Sequence, residues 1–431
     1  MTRSLVAVSA ESPIDVLAAL QAALSGTGPA VLPLAAGAEA LSDAAAPLSD
    51  AGDLGVVPRA VAVVIETSGS TAAPKRVMLT TDALLASAAA TSVALGGDGQ
   101  WLLAVPAHYV AGVQVLVRSI AAGTTPIILP TGHFDPEVFT DFAEQLTAPL
   151  RFTSLVPVQF ARLLDAARTN HRILTVLRRF TGILVGGQAI RPELIELADY
   201  FDLRLVRTYG SSETAGGCVY NGHPIGNTTV RVRCGELEIS GAVLALGYLD
   251  DDVRTHERFV DEHGVRWYRT GDLGEVDAEA GLVRVLGRAD NVIISGGEKV
   301  SLDAVERLVR TLPGLGDAVV LSADDAEWGQ VPVVVTSVSA MSVSGDAVTS
   351  AVEDAAPSAD AAPVDGPARA ENATAARPGE SAVPLERIRE LVGEQLGKAA
   401  RPAQLFTVPQ IPLLSSGKPD RKALAERIRR A

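Results

Sequence analysis

The chain has 431 residues, with 37 Lys and Arg against 51 Asp and Glu, which gives a formal net charge of −14. This length allows a large hydrophobic core and more than one domain, and the acidic balance argues against general binding to nucleic acid. Two cysteines exclude a disulfide scaffold and a cysteine-rich zinc site, and six scattered histidines disfavour a histidine-built metal site.

The first half of the chain alternates short apolar strands with helical patterns, which predicts an α/β layered domain. Residues 60–65 are rich in valine and isoleucine and predict a buried strand, and residues 82–95 predict an alanine-rich helix with Asp82 near its start. Further strands are expected at 126–129, 154–157, 183–185 and 204–208, and further helices at 135–146, 159–167 and 191–200.

From about residue 231 the pattern changes to short strands with close turns, which predicts an antiparallel or barrel-like subdomain. Residues 341–384 lack Ile, Leu, Phe, Tyr and Trp, so they predict a flexible insertion or, alternatively, a linker to a separate module. Strands at 318–322 and 331–338 are expected before this segment, and a helix at 385–397 after it.

One long uncharged stretch, residues 99–117, contains Pro106, His108 and Gln114. It therefore predicts a strand, a turn and a helix rather than a membrane span. The N-terminus meets charge and proline too early for a signal peptide. We therefore expect a cytoplasmic protein without a membrane span.

The first chemical motif, Glu66-Thr-Ser-Gly-Ser-Thr-Ala-Ala-Pro-Lys75, follows the strand at 60–65 directly. Its hydroxyl and backbone N–H groups can surround phosphate oxygens, and Lys75 adds a positive charge. The spacing of a Walker A loop is absent. Taken alone, an ordinary polar turn explains this segment about as well.

The second motif, Arg207-Thr-Tyr-Gly-Ser-Ser-Glu-Thr-Ala-Gly-Gly217, also follows a predicted strand. Tyr209 can stack on a flat base, Ser212 can hydrogen-bond a phosphate, and Glu213 is a hard oxygen ligand suited to Mg²⁺. Taken alone, a glycine-rich loop with a surface carboxylate is the simpler interpretation.

Three shorter motifs complete the set. Asp272, which ends the sequence Tyr-Arg-Thr-Gly-Asp, can accept both hydroxyls of a ribose, and Arg288 can donate to a ribose or a phosphate. Residues 295–299 form a glycine-rich turn that can change conformation, and Lys418 lies in the sequence Ser-Ser-Gly-Lys-Pro-Asp-Arg. For Asp272 a common turn, and for Lys418 a solvated charge, are the ordinary alternatives.

In order and spacing, the five motifs resemble those of the adenylate-forming superfamily, which contains acyl-CoA synthetases, adenylation domains and luciferases. The resemblance implies a large N-terminal domain, residues 1–289, of layered α/β sheets with a β-rich subdomain that binds ATP and the acyl group. It also implies a small mobile α+β C-terminal domain, residues 290–431, and a reaction that uses ATP, Mg²⁺ and coenzyme A.

The resemblance also implies roles for individual residues of this sequence. Lys418, His108 and Glu213 would be catalytic, and Glu213 would hold Mg²⁺. Asp290 would lie at the hinge between the domains, and the Gly296-Gly297 segment would help to form the thiol tunnel. The ATP-binding residues would be Thr67, Ser68, Gly69, Ser70, Thr71, Lys75, Gly186, Gly187, Tyr209, Gly210, Ser212, Asp272 and Arg288.

The sequence departs from the superfamily pattern at three motif positions. Ala72 and Arg76 stand where glycine is usual, and Ser212 replaces the commoner threonine but keeps the hydroxyl. Ala72 bears on the geometry of the loop, because glycine adopts positive φ easily and alanine does not. The motif around Lys418 is intact, which argues against an inactive relative.

Three segments narrow the resemblance to the 2-succinylbenzoate–CoA ligases of menaquinone biosynthesis: residues 108–118, 154–164 and 212–224. Such an enzyme adenylates 2-succinylbenzoate with release of pyrophosphate and then forms the CoA thioester with release of AMP. The second carboxylate of this acid is only recognised, so it needs a buried cation or several donors. The implied substrate-binding residues are His108, Arg118, Ser154, Gly216 and Gly217.

Arg118 is the candidate cation, and an arginine on a helix surface is nearly as good an explanation of it. Two other functions stay open: activation of another aryl or fatty acid for CoA or a carrier protein, and noncatalytic adenylate binding. Intact Glu213, Asp272 and Lys418 disfavour the second. The expected partners are a carboxylic acid, ATP and CoA, without nucleic acid, and a homodimer is left open.

Overall fold

The computed structural model describes residues 1–35, 53–67, 74–338, 383–414 and 418–429. The chain forms two compact units, Met1–Leu286 and Gly287–Ala431. This division lies a few residues before the boundary expected at 289/290, so Arg288 belongs to the second unit. Nearly all of the predicted insertion at 341–384 lies outside the described residues.

The described part of the first unit is built on three β-sheets, which we name A, B and C. Sheet A comprises β1 Thr2–Ser9, β2 Ala30–Leu34, β3 Asp53–Pro58, β4 Val61–Thr67, β5 Lys75–Thr80 and β15 Gly247–Tyr248. Sheet B comprises β6 Gln100–Leu103, β7 Ile127–Ile128, β8 Arg151–Leu155, β9 Gly182–Val185, β10 Leu205–Ser211, β11 Gly216–Tyr220 and β12 His223–Pro224. Sheet C comprises β13 Thr229–Arg233, β14 Glu236–Ser240, β16 Phe259–Glu262, β17 Val265–Val276 and β18 Val283–Arg288.

Sheets A and B hold many residues of the candidate site at strand ends, and Asp272 lies in sheet C. Sheet A has the order β15-β5-β4-β2-β1-β3, and sheet B has the order β12-β11-β10-β9-β8-β6-β7. From β7 to β10, neighbouring strands of sheet B are parallel, so their carboxyl ends meet at one edge. Open parallel sheets bind ligands at that edge.

The predicted strands of this unit are confirmed, and their burial explains their sequences. Val61–Ile65 of β4 is fully buried, which matches its unbroken run of apolar residues. Residues 126–129, 183–185 and 204–208 correspond to β7, β9 and β10, and β8 begins earlier than expected. Beyond residue 231, β13, β14, β17 and β16 form an antiparallel sheet, as expected.

Helices of the first unit cover the sheets and begin at recognisable caps. The Thr80 side chain accepts from the backbone N–H of Ala83, and Gly96, with φ of 84°, ends the same helix. Asp135 caps another helix by accepting from two backbone N–H groups. The helices are α1 Pro13–Leu24, α2 Thr81–Leu95, α3 Val110–Ala121, α4 Pro136–Ala143, α5 Pro157–Ala167, α6 His171–Arg178, α7 Pro192–Tyr200 and α8 Asp252–Arg258.

The second unit packs helices on one further sheet, D. The structure confirms the strands expected at 318–322 and 331–338, which are Val319–Asp325 and Gly329–Ser337. It also confirms the helix expected at 385–397, which is Leu385–Leu396. In sheet D the order is β20-β19-β22-β21, and β23 pairs with β22 in parallel. The elements are β19 Val292–Ser295, β20 Glu298–Ser301, α9 Leu302–Val309, β21 Val319–Asp325, β22 Gly329–Ser337, α10 Leu385–Leu396, β23 Gln404–Val408 and α11 Arg421–Ile428.

None of the helices that the structure describes combines the length and the hydropathy that a transmembrane segment requires.

Candidate active site

The predicted phosphate loop leaves and re-enters sheet A at two paired residues. Thr67, the last residue of β4, lies opposite Lys75, the first residue of β5. One step further into the sheet, the Arg76 guanidinium donates to the Glu66 carboxylate across 3.2 Å. This pair gives Arg76 a structural role at the base of the loop. The loop residues Ser68, Gly69, Ser70, Thr71 and Ala72 lie outside the described residues.

Tyr209 and Asp272 come from different sheets and are hydrogen-bonded. The Tyr209 hydroxyl donates to Asp272 Oδ2 across 2.6 Å. Burial raises the pKa of Tyr209 well above its usual value, and the negative charge of Asp272 is the second largest cause of this rise. The hydroxyl therefore keeps its proton. The bond fixes the Tyr209 ring at the end of β10 and holds β17 beside it.

Glu213 is a buried carboxylate held by a second tyrosine. A single 3₁₀ turn, Ser212–Thr214, follows β10 and buries both Ser212 and Glu213. The hydroxyl of Tyr248, in β15, donates to Glu213 Oε1 across 2.9 Å. Burial raises the pKa of Tyr248 above its usual value, and the negative charge of Glu213 is the second largest cause of this rise. The bond connects β15, the edge strand of sheet A next to β5, to the 3₁₀ turn that follows β10.

The predicted glycines lie where two strand ends approach closely. A Cβ atom on Gly186 would lie 2.2 Å from Thr208 Oγ1, and a Cβ on Gly210 would lie 2.1 Å from the Gly216 carbonyl oxygen. Gly187 has a φ of +82°, which glycine adopts without strain. Side chains at Gly186 and Gly210 would push β9, β10 and β11 apart.

One face of α3 carries two polar side chains with unpartnered buried atoms, and a third such side chain lies just before the helix. His108 precedes the helix, and Gln114 and Arg118 lie one turn apart on it. His108 Nε2, Gln114 Oε1 and Arg118 Nε are buried and have no hydrogen-bond partner in the described chain. Burial lowers the pKa of His108, which favours its neutral ring. Such atoms mark a place for water or a polar ligand.

The same face of α3 packs on the predicted glycine pair. A Cβ on Gly216 would lie 3.2 Å from Gln114 Cγ, so the helix approaches the chain closely there. A Cβ on Gly217 would lie 2.9 Å from the Tyr220 ring, and Tyr220 Oη accepts from Arg118 Nη2 across 3.4 Å. The space beside Gly217 is therefore filled by Tyr220, which links this glycine to Arg118.

Ser154 lies apart from the cavity that adjoins Arg118. Ser154 is buried in β8, paired with Leu103 and Leu184 of the neighbouring strands. The cavity has a volume of about 390 Å³, and its wall includes Trp101, Arg118 and one face of α2. Neither Ser154 nor the glycine pair lines this cavity. Arg118 is thus shared between the cavity and the Tyr220 contact.

In the second unit, the predicted ribose ligand and the predicted hinge residue form an ion pair. Arg288 Nε and Nη2 each donate to one oxygen of Asp290 across 3.2 Å. Both side chains are exposed, so the pair adds little to stability. Its bidentate geometry still fixes the direction of the guanidinium relative to the hinge residue.

The predicted thiolation segment is a tight hairpin turn. Ser295 pairs with Glu298, and both residues between them have positive φ, 57° for Gly296 and 86° for Gly297. Two-residue hairpins favour this conformation, and glycine adopts it best. The Gly296 N–H donates to the Trp328 carbonyl, and a Cβ on Gly296 would clash with the Trp328 ring.

Lys418 lies beside a segment that is anchored to the core of the second unit. Leu413 pairs with Pro419, and Lys418 itself is exposed. Arg421, three residues further on, donates to the buried Glu306 and to the Val320 carbonyl, each across 2.6 Å. The arginine of this motif therefore anchors the segment beside Lys418.

Sequence reasoning missed Tyr248, Tyr220, Gln114 and Glu306. Gln114 and Tyr220 lie within the segments 108–118 and 212–224 but were given no role, and Tyr248 and Glu306 lie outside the motifs. Tyr268 lies in a motif and was likewise given no role. Burial raises the pKa of Tyr268 well above its usual value, and the negative charge of Glu213 is the second largest cause of this rise. A tyrosine hydroxyl far along the chain from the carboxylate it contacts leaves no local signal.

Comparison with known proteins shows the family of the chain. The family of AMP-binding enzymes matches residues 6–249. A probable 2-succinylbenzoate–CoA ligase of Mycobacterium tuberculosis is 34% identical over 414 residues, which are 95% of this chain and 94% of that protein. The 2-succinylbenzoate–CoA ligase of Listeria innocua is 30% identical over 287 residues, 63% of this chain and 58% of that protein.

Among solved structures, the o-succinylbenzoate CoA synthetase of Bacillus subtilis in complex with the acyl-adenylate intermediate OSB-AMP is similar to this chain. The similarity covers 97% of this chain and 82% of that one, with a TM-score of 0.67 and 21% identity. The predicted fold, layered α/β sheets with a β-rich subdomain and a smaller α+β unit, is therefore confirmed.

Proposed function

Because the chain belongs to the AMP-binding enzyme family, we propose that it is an AMP-forming acid–thiol ligase. It activates 2-succinylbenzoate with ATP and transfers the acyl group to CoA, as a cytoplasmic step of menaquinone biosynthesis. The likeness to the mycobacterial ligase supports this reaction, since it extends over 95% of the chain.

The reaction overcomes the low reactivity of a carboxylate in two steps. The carboxylate oxygen attacks the α-phosphorus of ATP, the bond to the β-phosphate oxygen breaks, and pyrophosphate leaves. The thiol of CoA then attacks the acyl carbon of the mixed anhydride, and AMP leaves. Positioning and charge stabilisation supply most of the catalysis in such phosphoryl chemistry.

The first unit offers the groups that would bind the nucleotide. Tyr209 would stack on adenine beside the Gly186-Gly187 turn, and Asp272 would accept the ribose hydroxyls. The hydrogen bond between Tyr209 and Asp272 supports this role, because it holds a flat ring and a carboxylate side by side. Lys75 at the end of the loop and Ser212 would donate to the phosphates.

Glu213 would hold Mg²⁺, and its surroundings fit that ion. Mg²⁺ is usually bound by one or two carboxylates together with substrate phosphates, so a single buried glutamate suffices. No cluster of three or more metal-binding side chains occurs within the described ranges. When bound, Mg²⁺ would offset negative charge on the phosphates. Tyr248 would keep one Glu213 oxygen fixed through its hydrogen bond, and the position of Glu213 in the 3₁₀ turn would set the direction of the other oxygen.

The second unit would serve each half-reaction with a different segment. We propose that Lys418 acts in adenylation and that the Gly296-Gly297 turn helps to bind the thiol, with Asp290 as the hinge. Their positions within the unit support this division, because Lys418 and the glycine hairpin belong to separate segments of one compact body.

Arg118 is the residue from which we infer which acid is the substrate. It is buried, with 6% exposure, and forms no ion pair with any acidic side chain that the structure describes. A buried charge without a counter-ion is costly, and an arginine keeps its proton even though burial lowers its pKa. A substrate with a second carboxylate would supply the missing counter-ion.

Arg118→Ala is therefore expected to raise KM for 2-succinylbenzoate roughly 100-fold and to change KM for a monocarboxylate little, because a charge-assisted contact contributes about 3 kcal/mol. Initial rates of AMP release with each acid measure this. Arg168→Ala, at an exposed position that ends α5, is the control and should match the unmodified chain. An equal rise in KM for both acids would make Arg118 a structural residue.

Product analysis tests the proposed function itself. The protein is incubated with ATP, Mg²⁺, CoA and a panel of aryl and fatty acids, and the thioesters are identified by mass spectrometry. We expect 2-succinylbenzoyl-CoA as the main product. If only benzoate or fatty acids gave thioesters, the assigned acid would be wrong. If none of the acids supported pyrophosphate exchange, the ligase activity itself would be rejected.

A further inference from the structure

We propose that Tyr220 and Thr91 are positioning residues that aim Arg118 at the second carboxylate of the acid. This inference rests on the proposed function, since it concerns how the same site recognises its substrate. The three side chains come from three elements, β11, α2 and α3, which meet inside the first unit.

Hydrogen-bond geometry sets the direction of each proton in this group. Thr91 Oγ1 lies 2.9 Å from the Ser87 carbonyl oxygen, which can only accept, so the Thr91 hydroxyl donates there. Thr91 Oγ1 also lies 2.9 Å from Tyr220 Oη, and it must accept in that contact. Tyr220 therefore donates to Thr91 and turns its lone pairs towards Arg118 Nη2, which can only donate.

The resulting chain runs from Arg118 through Tyr220 and Thr91 to the backbone of α2. Thr91 is fully buried and Tyr220 is 5% exposed, so these bonds are shielded from bulk solvent. The oxygen that holds Arg118 is thus fixed by a helix rather than by a mobile side chain. Because a guanidinium is planar, fixing one of its nitrogens by Tyr220 limits the direction of the others.

A second neutral contact restrains the other side of the guanidinium. Its central carbon lies 4.8 Å from the centre of the Trp101 ring, within the range of a cation–π contact. Arg118 Nε has no partner and is buried. The guanidinium is therefore held by neutral groups, and it keeps both its charge and one N–H for an incoming anion.

A neutral acceptor suits this task better than an acidic one would. An aspartate or glutamate at position 220 would neutralise Arg118 and compete with the substrate carboxylate. A tyrosine orients the guanidinium and leaves its charge available. The absence of a side chain on Gly217 makes room for this ring, since a Cβ there would lie 2.9 Å from Tyr220 Cε1.

Tyr220→Phe removes the hydroxyl and keeps the ring, so it separates positioning from packing. We expect KM for 2-succinylbenzoate to rise about tenfold, with kcat changed less than twofold and KM for a monocarboxylate unchanged. Thr91→Val should raise KM in the same direction by a smaller factor, and Thr91→Ser, which restores the hydroxyl, should return it towards the unmodified value. Tyr200→Phe, at an exposed tyrosine in α7, is the matched control.

The outcomes separate this inference from the proposed function. If the unmodified protein does not prefer 2-succinylbenzoate, the proposed function fails. If it does prefer that acid and Tyr220→Phe leaves its KM unchanged, or lowers kcat alone, the positioning role is wrong. Where no monocarboxylate is turned over, the split between KM and kcat for 2-succinylbenzoate decides. If Tyr220→Phe does not fold, the two Thr91 variants give the same decision.

Discussion

Lys418→Ala is expected to abolish adenylation of the acid, by about 1,000-fold or more, while thioester formation from presynthesised acyl-adenylate continues at near the unmodified rate. A positive charge near the α-phosphate stabilises the transition state of the first step, and the second step does not need it. The exposed position of Lys418, close to the contact between Arg421 and Glu306, fits a side chain that acts on a ligand rather than in the core.

Two assays measure this difference: acid-dependent pyrophosphate exchange for the first step, and CoA thioester formation from supplied acyl-adenylate for the second. Lys422→Ala removes a nearby exposed charge from α11 and serves as the control. Equal loss in both assays would show that Lys418 supports the unit as a whole and would contradict its assigned role.

Glu213→Gln is expected to slow pyrophosphate exchange by about 100- to 1,000-fold and to raise the Mg²⁺ concentration needed for half-maximal rate. The glutamine amide keeps the shape of the side chain and can still accept the hydrogen bond from Tyr248, so only the negative charge is lost. Mg²⁺ binds amide oxygens less strongly than carboxylates, which explains the direction of the change.

Titration of the exchange rate with Mg²⁺ measures this shift, and thermal unfolding shows whether the fold is retained. Glu196→Gln, at an exposed position in α7, is the matched control. A reduced rate with an unchanged Mg²⁺ requirement would contradict a metal-binding role and would assign Glu213 to the structure of the 3₁₀ turn.

The elements of the fold were largely predictable because their signals are local. The buried run in β4, the capped helix α2 and the strands at the centre of sheet B are encoded by neighbouring residues. Boundaries differed by a few residues, as for β8, since strand ends depend on pairing partners elsewhere in the chain. The division at 286/287 likewise depends on packing between distant segments.

The candidate site was predictable only where its residues lie in motifs. Tyr209 and Asp272 were each recognised, but the hydrogen bond between them joins residues 63 positions apart and has no sequence signal. The contact of Arg118 with Tyr220 spans 102 positions. Gly217 was expected to bind the substrate, and the structure shows Tyr220 filling the space beside it.

A crystal structure with a nonhydrolysable sulfamoyl analogue of 2-succinylbenzoyl-adenylate tests the central claim most directly. We predict that the adenine lies between Tyr209 and the Gly186-Gly187 turn, that the ribose hydroxyls bind Asp272, and that the distal carboxylate accepts from Arg118 Nε. An analogue bound away from Tyr209 and Asp272 would contradict the shared ATP site, and a distal carboxylate turned away from Arg118 would contradict the assigned acid.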